Sequence, residues 1–285
     1  MNQPEEQHPH WHQRVLTFAH HHDVEPAAVT HLRPGMAHAE KTGLIDAWFF
    51  IRKGHELRLR YRPASHDLTD EADEHMRTLL TGMEQSTSLT SWVTTVYEPE
   101  LHAFGGPEAM DTAHDLFHHD SNHTLAHLAQ LTAPGHIDNR RELSVLLCST
   151  LLRAAGQEWF EQGDVWAKVT ELRPAGDGRP PQPLPPLAPA LKRLMTTDTS
   201  SASATTSLSF ASEWFAAFQQ AGRRLSAHQH DGDLTRGHRA VLAHHVIFHW
   251  NRLGVPSAVQ GRLAATASSL IFDTESRGSQ IRGPR

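Results

Sequence analysis

Residues 47–53 (AWFFIRK) and 56–62 (ELRLRYR) form two short runs, the first largely apolar and the second strictly alternating, on either side of Gly54-His55. This spacing predicts a β-hairpin. Side chains alternate between the faces of a strand, so Leu57, Leu59 and Tyr61 fall on one side and Arg58, Arg60 and Arg62 on the other. Residues 70–85 (DEADEHMRTLLTGMEQ) open with carboxylates and repeat apolar positions at helical spacing through Met76, Leu79, Leu80 and Met83. A helix is expected there, followed by another alternating strand over residues 91–97 (SWVTTVY).

The pattern changes after Gly105-Gly106-Pro107. Residues 108–120 read as a short amphipathic helix with carboxylates near its start. Residues 142–155 are apolar almost all round and end at Gly156, which predicts a buried central helix. Helical periodicity continues over residues 163–172, 210–227, 233–253 and 257–272, with a short helix around 187–195. The proline-rich stretch 174–189 and the Ser/Thr/Ala stretch 196–209 are expected to be internal loops. The fold class that follows is α+β, with a mainly antiparallel sheet in the N-terminal half packed against a helical C-terminal half, and one domain over residues 1–285.

Composition narrows the setting. Hydrophobic residues make up 38% and charged residues 20% of the 285, enough apolar content for a packed core. The single cysteine, Cys148, lies in an apolar run and rules out an internal disulfide, which fits a reducing, cytoplasmic location. No stretch approaches a membrane span, and the start MNQPEEQHPHWHQ is too polar for a signal peptide. Net charge is −6 with histidine neutral, which argues against general nucleic-acid affinity. The 24 histidines titrate near neutrality, so surface charge should swing with pH.

Several constellations fail on inspection. There is no phosphate-binding glycine loop, GxSxG elbow or CxxC pair. His114/His118 and His245/His249 have i,i+4 spacing, but neither pair carries the glutamate of an HExxH helix and no third ligand is placed, so no metal site is expected. The arginine row is more specific, because alternating guanidinium groups can grip a carboxylate or phosphate bidentately; the competing reading is a solvated sheet face. On the expected helix 233–253, His238, His245, His249 and Arg252 follow at steps of seven, four and three and share one stripe. Each histidine alone reads as structural, but with Asn251 the stripe reads as one wall of a polar cavity.

Four segments carry a resemblance: WFFIRKGHELRLRYRP (48–63), VYEPELHAFGGPEAMDTAHDLFHHDS (96–121), RELSVLLCSTLLRAAGQEWFEQGDVWAKVTELRP (141–174) and RGHRAVLAHHVIFHWNRLG (236–254). In order and spacing the sequence resembles the thiopeptide-type bacteriocin biosynthesis proteins, relatives of the C-terminal elimination domain of lantibiotic dehydratases. The resemblance implies an enzyme that tailors a ribosomally made precursor peptide without a cofactor. In one branch a separate partner uses glutamyl-tRNA to esterify Ser or Thr, and the elimination domain expels glutamate to give dehydroalanine or dehydrobutyrine. In the other branch a stand-alone protein joins two dehydroalanines in a formal aza-cycloaddition, forms the pyridine of thiopeptides and releases the leader. The resemblance also implies that Arg58 and Arg60 hold the departing glutamate, that Glu100 matches an acidic position of the family, and that His245 or His249 does acid–base work; from the strand face and the helix stripe, Arg62, Asn251 and Arg252 are expected beside Glu100 as substrate-binding residues. A non-catalytic docking protein for the precursor peptide, pairing through the sheet edge, and a homodimer are further expectations. One departure stands out: elimination domains carry arginine before the aromatic-Gly-Gly step, and here Ala103 precedes Phe104-Gly105-Gly106.

Overall fold

The computed structural model describes residues 10–176, 178–199 and 208–279. Its contacts divide the chain into two compact units: residues up to Pro99 with Phe117–Ile137, and Glu100–Leu116 with the residues from Asp138 onward. The first is built on a sheet and the second on helices.

In the sheet unit the order of elements is β1 (His12–Phe18), α1 (Val24–Ala27), a π-helical turn, α2 (Arg33–Lys41), β2 (Ile45–Lys53), β3 (Glu56–Pro63), α3 (Thr69–Ser86) and β4 (Leu89–Val96). The four strands are antiparallel in the order β2-β3-β1-β4. The hairpin and the helix that follows it lie where the alternation puts them. Strand β1 was not among the expected elements, although it is central: Gln13 pairs with both Arg60 and Thr95. Its polar Gln13 and Arg14 obscure the pattern that a central strand normally shows.

Leu57, Leu59 and Tyr61 are buried with Leu16, Trp48 and Phe50 in one hydrophobic cluster, which also holds Met36 of α2 and Met76, Leu80 and Met83 of α3. The period of two in β3 thus turns one face to the core, leaving the arginines opposite. The two edges of the sheet are treated differently. The backbone N–H of Trp48 on β2 donates to His118 Nδ1 and that of Phe50 to Ser121 Oγ, each at 3.2 Å. Edge strand β4 is mostly exposed, with Val93 and Val96 among the exposed apolar residues.

His118 and Ser121 lie on α5 (Pro107–Leu131), which continues well past the expected end at residue 120. No glycine or proline interrupts residues 108–131, and Leu125 and Leu128 are buried, so packing holds the extra turns that polar residues 118–123 hide in the sequence.

The helical unit contains α4 (Leu101–Phe104), the start of α5, α6 (Arg140–Ala154), α7 (Trp159–Leu172), α8 (Ala188–Thr196), α9 (Ser212–Asp231), α10 (His238–Arg252) and α11 (Ser257–Ser279). As its pattern predicts, α6 is buried from Leu143 through Leu152, Cys148 included. Helix α9 comes so close that a Cβ on Gly222 would lie 2.6 Å from the Leu151 carbonyl oxygen and 2.7 Å from Ala154 Cβ. Trp166 of α7 stacks on Trp250 of α10 at 5.7 Å, and the Trp250 indole donates to Ser144 Oγ at 3.0 Å. Helix α10 starts at His238, five residues later than expected, with glycine as its N-cap. Of the proline-rich stretch, residues 185–187 form a short 3-10 turn leading into α8. Most of the expected loop 196–209, residues 200–207, lies outside the described residues.

Candidate functional site

The arginine row is present as the strand period requires, but its members have different surroundings. Arg60 is 3% exposed; its Nε donates to Gln13 Oε1 at 2.7 Å, and its guanidinium lies over the rings of Tyr97 and Phe49, at 4.6 and 5.1 Å. Buried guanidinium groups favour such a setting, being planar, weakly hydrated and able to stack on π-faces. Arg62 donates through Nε to Asp46 Oδ1 at 2.7 Å and sits over Trp11. Arg58 is half-buried, 3.6 Å from Glu56, and its Nε is a buried donor with no hydrogen-bond partner. The row therefore contains one cation fixed in an aromatic frame, one tied to a carboxylate and one with donor capacity to spare.

Trp11, Gln13, Phe49 and Tyr97 build that frame: Trp11 meets Phe49 edge-on at 5.1 Å and Phe49 meets Tyr97 at 5.9 Å. None of the four was singled out in the sequence. Phe49 had a legible signal, since it sits between Trp48 and Phe50 and so must face the arginine side.

In the helical unit the predicted stripe of α10 is buried along its length: His238, His245, His249 and Arg252 are all below one-tenth exposed. His245 meets the Phe104 ring edge-on at 5.0 Å. His249 lies 5.0 Å from Phe218 and 5.9 Å from Trp214. Asn251 accepts a hydrogen bond from Gln260 at 2.9 Å, and Arg252 is wholly buried. Burial pushes the His238 imidazole down to about 4, only partly opposed by the nearby Glu161 carboxylate, and lowers His244 as well.

Phe104 reaches His245 because of the two glycines after it. Gly105 has φ +91, a conformation side chains resist, and a Cβ there would come within 3.0 Å of Leu234 and Val241. Its carbonyl accepts from the Thr235 N–H at 2.9 Å, pinning α4 beside the start of α10. Glu100 caps α4, its carbonyl accepting from the N–H groups of Ala103 and Phe104. Arg58, Arg60 and Arg62 thus lie together in the sheet unit, and Glu100, His245, His249, Asn251 and Arg252 belong to the helical unit. Among the described residues no cluster of three or more His, Cys, Asp or Glu side chains could hold a metal, and no helix is long and apolar enough to cross a membrane.

Several solved structures share this fold. The tRNA-dependent lantibiotic dehydratase MibB from Microbispora sp. 107891 superposes with a TM-score of 0.65 at 16% identity over 98% of this chain, which spans only 29% of MibB. TbtD, a pyridine synthase from thiomuracin biosynthesis, gives 0.69 at 12% identity over 94% of this chain and 99% of its own. TsrL gives 0.58 at 15% identity, covering 93% and 96%. No curated protein matches the sequence. The family model described as the lantibiotic biosynthesis dehydratase C-terminus matches residues 11–271, and the chain belongs to that family.

Proposed function

We propose that this member of a peptide-tailoring enzyme family eliminates glutamate from glutamylated Ser or Thr of a precursor peptide, leaving dehydroalanine or dehydrobutyrine. The observation that carries the reading is the arginine face of β3, where Arg58 retains an unpartnered donor beside two further cations. A base takes the Cα proton, the Cβ–O bond breaks, and glutamate departs as a carboxylate with the electron pair as the double bond forms. Arg58 holds that carboxylate, because a guanidinium stabilises negative charge most where it develops. Arg62 adds to the field, while Arg60, fixed on Tyr97 and Phe49, acts as a positioning residue. His245 or His249 supplies the base; Glu100 and Asn251 contribute to substrate binding beside the wholly buried Arg252. The ester substrate requires a separate glutamyl-tRNA-dependent partner.

A second reading, pyridine-forming cycloaddition of two dehydroalanines, is favoured by Ala103 in the position of the family arginine and by the commitment of Arg60 to its aromatic frame. Both reduce the cations available to a leaving carboxylate, which an uncharged bis-dehydroalanine core does not need.

Mass spectrometry of precursor peptide incubated with the protein and a glutamylating partner separates the two. With Arg58→Ala, glutamate-adduct intermediates should accumulate, the loss of one charge-assisted contact slowing elimination roughly 10- to 150-fold. Of His245→Ala and His249→Ala, one should accumulate the same adducts and the other should not. Elimination fails as a reading if every variant clears glutamylated peptide like the parent. It is replaced by cycloaddition if the parent leaves glutamylated peptide untouched and converts a pre-dehydrated peptide to a pyridine.

A further inference from the structure

Within the helical unit, the N-terminus of α10 opens into a cavity of about 350 Å³ lined by Gln157, Glu161, Lys168, Gln229 and residues 237–240. A second, adjoining space of about 450 Å³ shares Gln229, Gly237 and His238 and adds Arg236. Four features of this end of the helix point the same way. The N-cap is Gly237, no side chain caps the first turn, and no acidic residue lies in it. Helices normally meet their free N–H groups with Ser, Thr, Asp or Asn at this position, and here a Cβ on the glycine would meet nothing within 4 Å. A 15-residue helix with such an end presents oriented N–H donors and positive potential to open space.

The buried side chains supply the second feature. His238 is 7% exposed and Gln157 8%, and both line the cavity. Gln157 Nε2 donates to the Ala155 carbonyl at 3.2 Å and lies 3.4 Å from His238 Nδ1, which makes Nδ1 the acceptor of a neutral ring and leaves the proton on Nε2. That Nε2 has no hydrogen-bond partner. A buried donor left in this state costs about 1–3 kcal/mol, a cost that a ligand acceptor would remove.

Charge supplies the third and fourth. Arg239 bonds to Glu161 and Asp164, at 2.7 and 2.5 Å, which offsets part of the negative charge that Glu161 brings to the lining. Lys168 and Arg236 form no ion pair among the described residues. Two free cations, helix N–H groups and a neutral imidazole donor are a receptor for negative charge, with Glu161 at the rim disfavouring a dianion.

We infer that this cavity binds a carboxylate, held by the first-turn N–H groups of α10 and the His238 ring and neutralised by Lys168 or Arg236. A free carboxylic acid and an acidic peptide side chain present the same group. The inference does not rest on the elimination reading.

The test follows the His238 ring resonance, assigned by its loss in His238→Gln, in protein with labelled histidines. Sodium acetate, L-glutamate, and a short peptide carrying one glutamate with its glutamine counterpart are titrated against sodium chloride at matched ionic strength. A saturable shift with at least one carboxylate, absent with chloride and with the glutamine peptide, is expected. Response to the peptide alone assigns the site to an acidic side chain, and response to the free acids assigns it to a small molecule. Lys168→Met or Arg236→Met should weaken binding about tenfold or more. Gly237→Asp, which places a carboxylate on the cap from within, should abolish the response and raise the melting temperature, so a folded, stabilised variant reports the loss. No saturable shift in the parent, or carboxylate binding in Gly237→Asp equal to that of the parent, overturns the inference.

Discussion

Three arginines at alternate positions of one strand end in three different physical states. Arg60 is buried over Tyr97 and Phe49 with its Nε on Gln13, whereas Arg58 keeps a half-exposed position and a weak pairing to Glu56. Arg60→Ala should therefore lower unfolding stability by about 2–4 kcal/mol, the sum of a buried charged hydrogen bond and a desolvated cation–π contact. Arg58→Ala should stay within about 1 kcal/mol of the parent. Urea titration checks both, and equal losses would deny that the two arginines differ in role. His238 gives a pH signature of its own. Its folded value of about 4 lies below the ordinary 6.5, so between these the unfolded chain takes up a proton that the native ring refuses. Stability from this group is complete above about pH 6.5 and drains away as pH falls toward 4, at up to about 1.4 kcal/mol per pH unit. The parent should lose more stability than His238→Gln between about pH 7 and pH 5, and parallel profiles would contradict the assignment.

Among the elements, edge strand β2 is closed by side chains rather than by another strand. Trp48 and Phe50 donate their N–H groups to His118 and Ser121 of α5, and the Trp48 indole donates to Glu40 at 3.0 Å. This blunts an edge that would otherwise invite pairing. Ser121→Ala should cost about 1–3 kcal/mol by orphaning the Phe50 amide, whose hydrogen exchange should accelerate selectively. Unchanged protection at Phe50 would show that the contact carries no weight. Between α6 and α9 the approach is set by Gly222, and Gly222→Ala should destabilise the helical unit by about 1–3 kcal/mol through overpacking against Leu151 and Ala154. A variant as stable as the parent by thermal denaturation would mean that the helices part without penalty.

Over the whole molecule, charge is governed by histidine. A formal charge of −6 with neutral histidine, 24 such residues and a sequence isoelectric point near 6.5 mean that modest acidification reverses the sign. Electrophoretic mobility should cross zero close to that pH, and binding to an acidic peptide should strengthen below it and weaken with salt. Mobility that stays anodic well below pH 6 would show that most histidines are held neutral by burial, as His238 is.

The sequence by itself determined the hairpin, the single face shared by Arg58, Arg60 and Arg62, the buried helix around Cys148 and the family, because each rests on local periodicity or contiguous motifs. It missed β1, whose polar Gln13 and Arg14 are tolerated at the centre of the sheet only because Gln13 meets Arg60 and Arg14 pairs with Asp73 at 3.1 Å. It undershot α5, whose later turns depend on Leu125 and Leu128 finding the sheet core. The α10 stripe was legible as a stripe, but not the burial of all its members or the aromatic rings around His245 and His249. Only the tertiary structure decided what surrounds each arginine and what the N-terminus of α10 faces. Those outcomes depend on partners distant in the chain, such as Tyr97 for Arg60 and Gln157 for His238, and a strand or helix period carries no information about them.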